Sequence, residues 1–98
     1  MPRLQRTQLV ERLRHTPLRR VRGSSAVQRL GFDTEARMAV VQFRGNELLY
    51  GYPQLSDDEI QGLLRVMQDH GSIGEYVSKV IKANHDHEHV RSDERAEA

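Results

Sequence analysis

Residues 37–52, RMAVVQFRGNELLYGY, carry the strongest secondary-structure signal in this chain of 98 residues. Two apolar runs flank Gly45 and Asn46, which both tolerate the positive φ of a tight turn. Tyr50 and Tyr52 share one face of the second run, because alternate side chains of a strand point the same way. The stretch therefore predicts an antiparallel β-hairpin.

The flanking segments add one strand before the hairpin and two helices after it. Apolar residues at 27, 30 and 32 indicate the strand. Ser56 and Glu59 have the spacing of a capping box that begins a helix, and residues 73–83 predict a second, shorter helix. We expect an α+β domain with a three-stranded antiparallel sheet followed by two helices (β-β-β-α-α), which cover one face of the sheet.

Charge divides the chain into three parts. Residues 1–23 hold seven arginines and one glutamate, a charge of +6, and form a basic arm. Residues 24–82, the predicted domain, carry −2, and residues 83–98 carry −3, which leaves a net charge of +1. The last part is a polar, acidic tail that contains histidine, and we expect it to be disordered.

The basic arm also contains a short helical pattern. Leu9, Val10 and Leu13 lie on one face of a helix, and Pro17 predicts that this helix ends at about His15 or Thr16. Because so short a helix is unstable alone, we expect it to dock on another surface or to remain partly disordered.

Composition excludes several classes of protein. The chain has no cysteine, so it has no disulfide framework, thiolate zinc site or cysteine nucleophile. Its apolar runs are too short to cross a bilayer, and no signal peptide is recognisable, so we expect a cytoplasmic protein. A folded core of about 60 residues is marginal in size, which favours a partner or a dimer.

Four segments of the chain, in order, together resemble one known family. They are Ser24-Ser25-Ala26-Val27 running into Leu30-Gly31-Phe32-Asp33, then Val41-Gln42-Phe43 with Gly45, then Tyr50-Gly51-Tyr52, and finally Ser72-Ile73-Gly74-Glu75-Tyr76. They resemble the KTSC domain, found alone in small bacterial and phage proteins and at the C-terminus of some lysyl-tRNA synthetases. The resemblance covers about residues 24–82. The chain departs from the family pattern at Ser56, where proline is frequent in the family, and between Gly45 and Tyr50, where its loop is longer. The resemblance implies no established activity, and the synthetase association suggests RNA binding.

The first functional hypothesis is a module that binds RNA or another single-stranded nucleic acid. Tyr50 and Tyr52 would stack on bases, although the alternative is that both rings pack in the core under the helices. The arginines of the arm would neutralise phosphates. They are Arg3, Arg6, Arg12, Arg14, Arg19, Arg20 and Arg22.

The second hypothesis is a protein-interaction module, for example a small phage or bacterial regulator that binds a host protein. In this case Leu9, Val10 and Leu13 would contact the partner. A third use of the arm is also open, because it could fold back on the acidic tail of the same molecule.

No residue pattern predicts catalysis, a cofactor or a specific metal site. Asp57, Asp58 and Glu59 begin a helix, where carboxylates offset the helix dipole. His85, His87 and His89 share one side of an extended chain, and such tracts can bind nickel, copper or zinc. A disordered tail has no second shell to orient the rings, so we expect adventitious binding.

Overall fold

A computed structural model describes residues 5–22, 25–68 and 73–92. In chain order, the elements are helix α1 (Arg6–His15), strands β1 (Arg19–Arg20), β2 (Val27–Asp33), β3 (Met38–Phe43) and β4 (Leu48–Tyr52), helix α2 (Asp57–Gln68), helix α3 and strand β5 (Glu88–Arg91). Helix α3 is one run that consists of Ile73–Tyr76, the π-helical Val77–Ile81 and Lys82–Asn84. Within the described residues, no helix is long and apolar enough to span a membrane.

The sheet has five antiparallel strands in the order β1-β2-β3-β4-β5. The prediction of an α+β fold is confirmed, whereas the prediction of three strands in a β-β-β-α-α order is wrong. The β3–β4 hairpin forms as predicted: Gly45 has a φ of 80°, and the Asn46 N–H donates to the Phe43 carbonyl over 3.1 Å. The two additional strands, β1 and β5, form the edges of the sheet.

Helices α2 and α3 cover one face of the sheet, here named the α2/α3 face. The capping box predicted at Ser56 forms, because the Ser56 N–H donates to Glu59 Oε1 (2.8 Å) and the Glu59 N–H donates to Ser56 Oγ (3.2 Å). The core under these helices contains residues from the sheet and from both helices. They are Val21, Val27, Leu30, Ala39, Val41, Tyr52, Leu55, Leu63, Ile73, Val77 and Ile81.

Helix α1 covers the opposite face, here named the α1 face. Leu9 and Leu13 pack there against Met38, Val40 and other residues of the sheet. The helix ends at His15, as Pro17 predicts, and the Thr16 hydroxyl donates to the Arg12 carbonyl over 2.7 Å. The molecule therefore has three layers, with helices on both faces of the sheet.

The prediction that the acidic tail is disordered is wrong for residues 83–92. Strand β5 pairs with β4, and its Val90 is buried on the α1 face beside Leu49. On the same face, Glu88 Oε2 accepts a 2.8 Å hydrogen bond from Arg6 Nε of α1. Backbone pairing, the buried Val90 and the Arg6–Glu88 contact thus hold a segment whose composition is otherwise polar.

Candidate nucleic-acid interface

Five ring side chains from β3, β4, β5 and the residue just before β5 come together at one corner of the α2/α3 face. Tyr50 and His89 are direct neighbours across the two strands. The ring centroid of Tyr50 lies 4.9 Å from that of His87 and 5.7 Å from that of Phe43, while those of His87 and His89 are 5.9 Å apart. The fifth ring is Tyr52, whose centroid is 5.8 Å from that of His87. We call these five residues the ring cluster.

The members of the ring cluster differ in exposure. Tyr52 is 1% exposed, and its burial, followed by the neighbouring Tyr50, raises the pKa of its phenol to about 12. Tyr50 is half-buried, and its hydroxyl accepts a 3.3 Å hydrogen bond from Asn46 Nδ2. His87 and His89 are exposed. Tyr52 is therefore a core residue, as the alternative reading of the two tyrosines predicts, and Tyr50 with the two histidines forms the accessible part.

Cationic side chains border the ring cluster. The Lys82 ammonium lies 5.6 Å from the ring centroid of Phe43, within the range of a cation–π interaction. Arg44 and Arg91 line an open groove beside Phe43, at the end of the β3–β4 hairpin. Rings and cations thus occupy adjoining parts of one surface, which suits it to flat and anionic groups.

Comparisons with known proteins bear on the fold. No family model matches the chain, and none of the curated proteins matches it. Among solved structures, it is similar to a KTSC domain protein from Yersinia pestis, with a TM-score of 0.62 and 24% identity over 76% of this chain and 97% of that one. The chain shares the KTSC domain fold. The resemblance carried by the four sequence segments is thereby confirmed at the level of the fold.

The Tyr50-Gly51-Tyr52 segment of this KTSC fold serves both faces of the sheet. The two tyrosines point to the α2/α3 face, whereas Gly51 lies under α1. A Cβ atom at Gly51 would come within 2.7 Å of Met38 Sδ and 3.3 Å of Leu13 Cδ1. A side chain at the position between the tyrosines would therefore displace the Met38 side chain and press on Leu13 of α1.

The last KTSC-like segment holds α3 against α2. The Tyr76 hydroxyl donates to the Glu59 carbonyl over 2.9 Å, and its ring lies where a Cβ on Gly62 would be. Burial raises the pKa of Tyr76, and the carboxylates of Glu59 and Asp58 add to that effect. Ser24 and Ser72, which belong to the first and last segments, lie outside the described residues.

The described arginines of the arm are divided between helix α1 and the β1 edge, and two of those on α1 contact carboxylates. Arg6 contacts Glu88, and Arg12 contacts Asp33 and Glu35, whose carboxylates raise the pKa of the Arg12 guanidinium, Glu35 first. Through these contacts the arm is folded back on the tail at Glu88 and on the β2–β3 turn at Asp33 and Glu35.

The remaining arginines of the arm occupy different positions. Arg14 is half-buried on α1. Arg19, Arg20 and Arg22 are exposed on or next to the edge strand β1. Arg3 lies outside the described residues.

The residues proposed for a protein contact are largely used within the molecule. Leu13 is fully buried and Leu9 is 8% exposed, while Val10 packs at the margin of the same cluster. Since α1 uses its apolar face to cover the sheet, Leu9 and Leu13 do not present a surface to a partner in this structure.

The three histidines of the tail separate into two groups. His85 Nε2 lies 2.8 Å from Glu59 Oε2, with both side chains 15% exposed. Burial acts to raise the pKa of Glu59, but hydrogen bonds from the Ser56 N–H and from His85 outweigh it, so the pKa is lowered. His87 and His89 instead face Tyr50. Glu59, a carboxylate at a helix N-terminus, thus holds the start of the tail, and the pairing of β5 with β4 holds Glu88–Arg91.

The nucleic-acid hypothesis did not include four residues of this candidate site, which are Phe43, Lys82, His87 and His89. The alternation of His85, His87 and His89 was visible in the sequence and predicted that the imidazoles share one side. Their contact with Tyr50 depends on the pairing of β5 with β4, segments that lie about 40 residues apart. No local pattern indicates that pairing.

Proposed function

We propose that this protein is a binding module, without catalytic activity, for single-stranded nucleic acid, with RNA as the expected form. The half-buried Tyr50, in contact with His87, His89 and Phe43, is the observation that carries the proposal, and Lys82 lies over the neighbouring ring of Phe43. A base stacked on an aromatic ring of such a platform contributes about 1–3 kcal/mol. Duplex bases are already stacked, so the platform favours single strands.

Phosphate contacts would come from the cations around the rings and from the β1 edge. Lys82, Arg44 and Arg91 border the ring cluster, and Arg19, Arg20 and Arg22 are exposed elsewhere on the sheet. With a salt slope of about −0.7 per neutralised phosphate on a single strand, these six contacts give a slope near −4. Arg6 and Arg12 are held by carboxylates at 2.6–3.2 Å, closer than the 3.9 Å between Arg91 Nη2 and Glu47 Oε2, so we expect them to contribute less than Arg91.

Fluorescence polarisation with labelled single-stranded RNA, the matching single-stranded DNA and duplex DNA tests the proposal. Tyr50→Leu should weaken binding of single strands by about 1–3 kcal/mol, since the stacking ring is lost. Tyr50→Phe keeps the ring and should bind like the natural chain. Lys82→Gln should weaken binding and flatten the salt slope, whereas Lys79→Gln, one turn earlier and paired with Glu75, should not.

Two results would contradict the proposal. One is equal affinity of the natural chain and Tyr50→Leu for every single strand. The other is the absence of binding by the natural chain at physiological salt, which would favour the second hypothesis, a protein-interaction module, with a contact other than the buried Leu9 and Leu13.

A further inference from the structure

The structure removes the reason for regarding the histidine tract as an adventitious metal binder. That expectation rested on a disordered tail without fixed ring positions. Instead, β5 is paired with β4, and His87 and His89 project to the same side of the sheet against Tyr50. Their ring positions therefore follow from the fold.

We propose that His87 and His89 form a two-imidazole site for a divalent transition-metal ion such as copper, nickel or zinc. Their ring centroids are 5.9 Å apart and both side chains are exposed. A metal shared by two imidazoles lies about 2.0–2.1 Å from each nitrogen, so the two ring centres can be at most about 6.4 Å apart, a limit that the observed separation meets. Imidazole is a preferred ligand of copper, nickel and zinc.

The site is open rather than closed. Among the described residues, no group of three or more histidine, aspartate or glutamate side chains is arranged to hold a metal ion. His85 is directed to Glu59 instead and does not join the pair. Water or an exogenous ligand therefore completes the coordination, and the order of affinities should place copper above nickel and zinc.

Metal binding and nucleic-acid binding are independent proposals about the same corner. The metal is bound by the two imidazoles, whereas nucleic acid is bound by Tyr50 and the surrounding cations. Lys82→Gln should weaken nucleic-acid binding and leave metal affinity unchanged, because Lys82 contacts Phe43 and not the imidazoles, so failure of one proposal leaves the other standing.

Isothermal titration of the full chain with Ni²⁺ tests the site. His87→Gln and His89→Gln should each weaken binding by about tenfold or more, since loss of a direct ligand costs at least as much as loss of an outer partner. His15→Gln is the matched control, because His15 is exposed on α1 and contacts Glu11. Equal affinity in His89→Gln, or an equal loss in His15→Gln, would overturn the proposal.

Thermal unfolding separates a site made by the fold from a flexible histidine tract. A metal that binds the folded chain more tightly than the unfolded chain raises Tm. Ni²⁺ should therefore raise Tm of the natural chain and have little effect on His89→Gln. Binding without any rise in Tm of the natural chain would show that the unfolded tract binds equally well, and would contradict a folded site.

Discussion

At the scale of single residues, Tyr50 and Tyr52 show how neighbours on one strand face acquire different roles. Tyr52 lies under α2 and α3 in the core, whereas Tyr50 lies two residues nearer the hairpin turn, beyond full cover, beside Phe43 and the histidines. The sequence predicts their common face but not the point at which the helical layer stops. That point depends on how the helices dock, which is a property of the tertiary structure.

The buried phenol of Tyr52 predicts how the stability of the fold changes at alkaline pH. Its pKa is raised to about 12, above that of an unfolded tyrosine near 10, so the unfolded chain loses this proton first as the pH rises. Its contribution to stability is therefore complete below about pH 10 and declines as the pH rises towards 12.

Urea unfolding of the natural chain and Tyr52→Phe at several pH values between 8 and 11 measures this contribution. The free energy of unfolding of the natural chain should fall relative to that of the variant as the pH rises above about 10. A difference that stays constant with pH would contradict the burial of this hydroxyl.

At the scale of elements, the sequence correctly predicted the features that are formed by contacts between residues close together in the chain. The capping box at Ser56, the Gly45-Asn46 turn and the end of α1 before Pro17 are all present. Strands β1 and β5 were missed because they have two and four residues and take their order from partners distant in sequence. Their polar compositions indicate an arm and a tail, and tertiary pairing overrides that indication.

Helix α1 covers one face of the sheet, and we expect its packing there to contribute to the stability of the whole fold. Leu13 is fully buried between α1 and the sheet, so Leu13→Ala should lower the free energy of unfolding by about 2–5 kcal/mol. Leu64→Ala on α2 is the control, because Leu64 is 44% exposed and its truncation should change stability by less than about 0.5 kcal/mol. Chemical denaturation measures both, and a Leu13→Ala effect as small as the control would show that α1 is not part of the cooperative fold.

At the scale of the whole molecule, the basic arm and the acidic tail stand at opposite ends of the sequence but lie together in the fold. The alternative in which the basic arm folds back on the acidic tail is the one that forms, because α1 and β5 meet on the α1 face and Arg6 contacts Glu88. This pairing places Val90 under α1 and directs the outer histidines to the α2/α3 face. The candidate interface therefore lies on the sheet and is centred on the ring cluster, with Arg19, Arg20 and Arg22 of the arm as outlying phosphate contacts and helix α1 outside it.

Mapping by nuclear magnetic resonance tests that location most directly. A ¹⁵N-labelled full-length chain would be titrated with a short single-stranded RNA, and amide shifts would be followed residue by residue. We predict the largest changes in β4, β5 and the end of α3, around Tyr50, His89 and Lys82, with small changes in α1. Shifts concentrated on Arg6–His15, with β4 and β5 unmoved, would contradict the account and return the site to the arm.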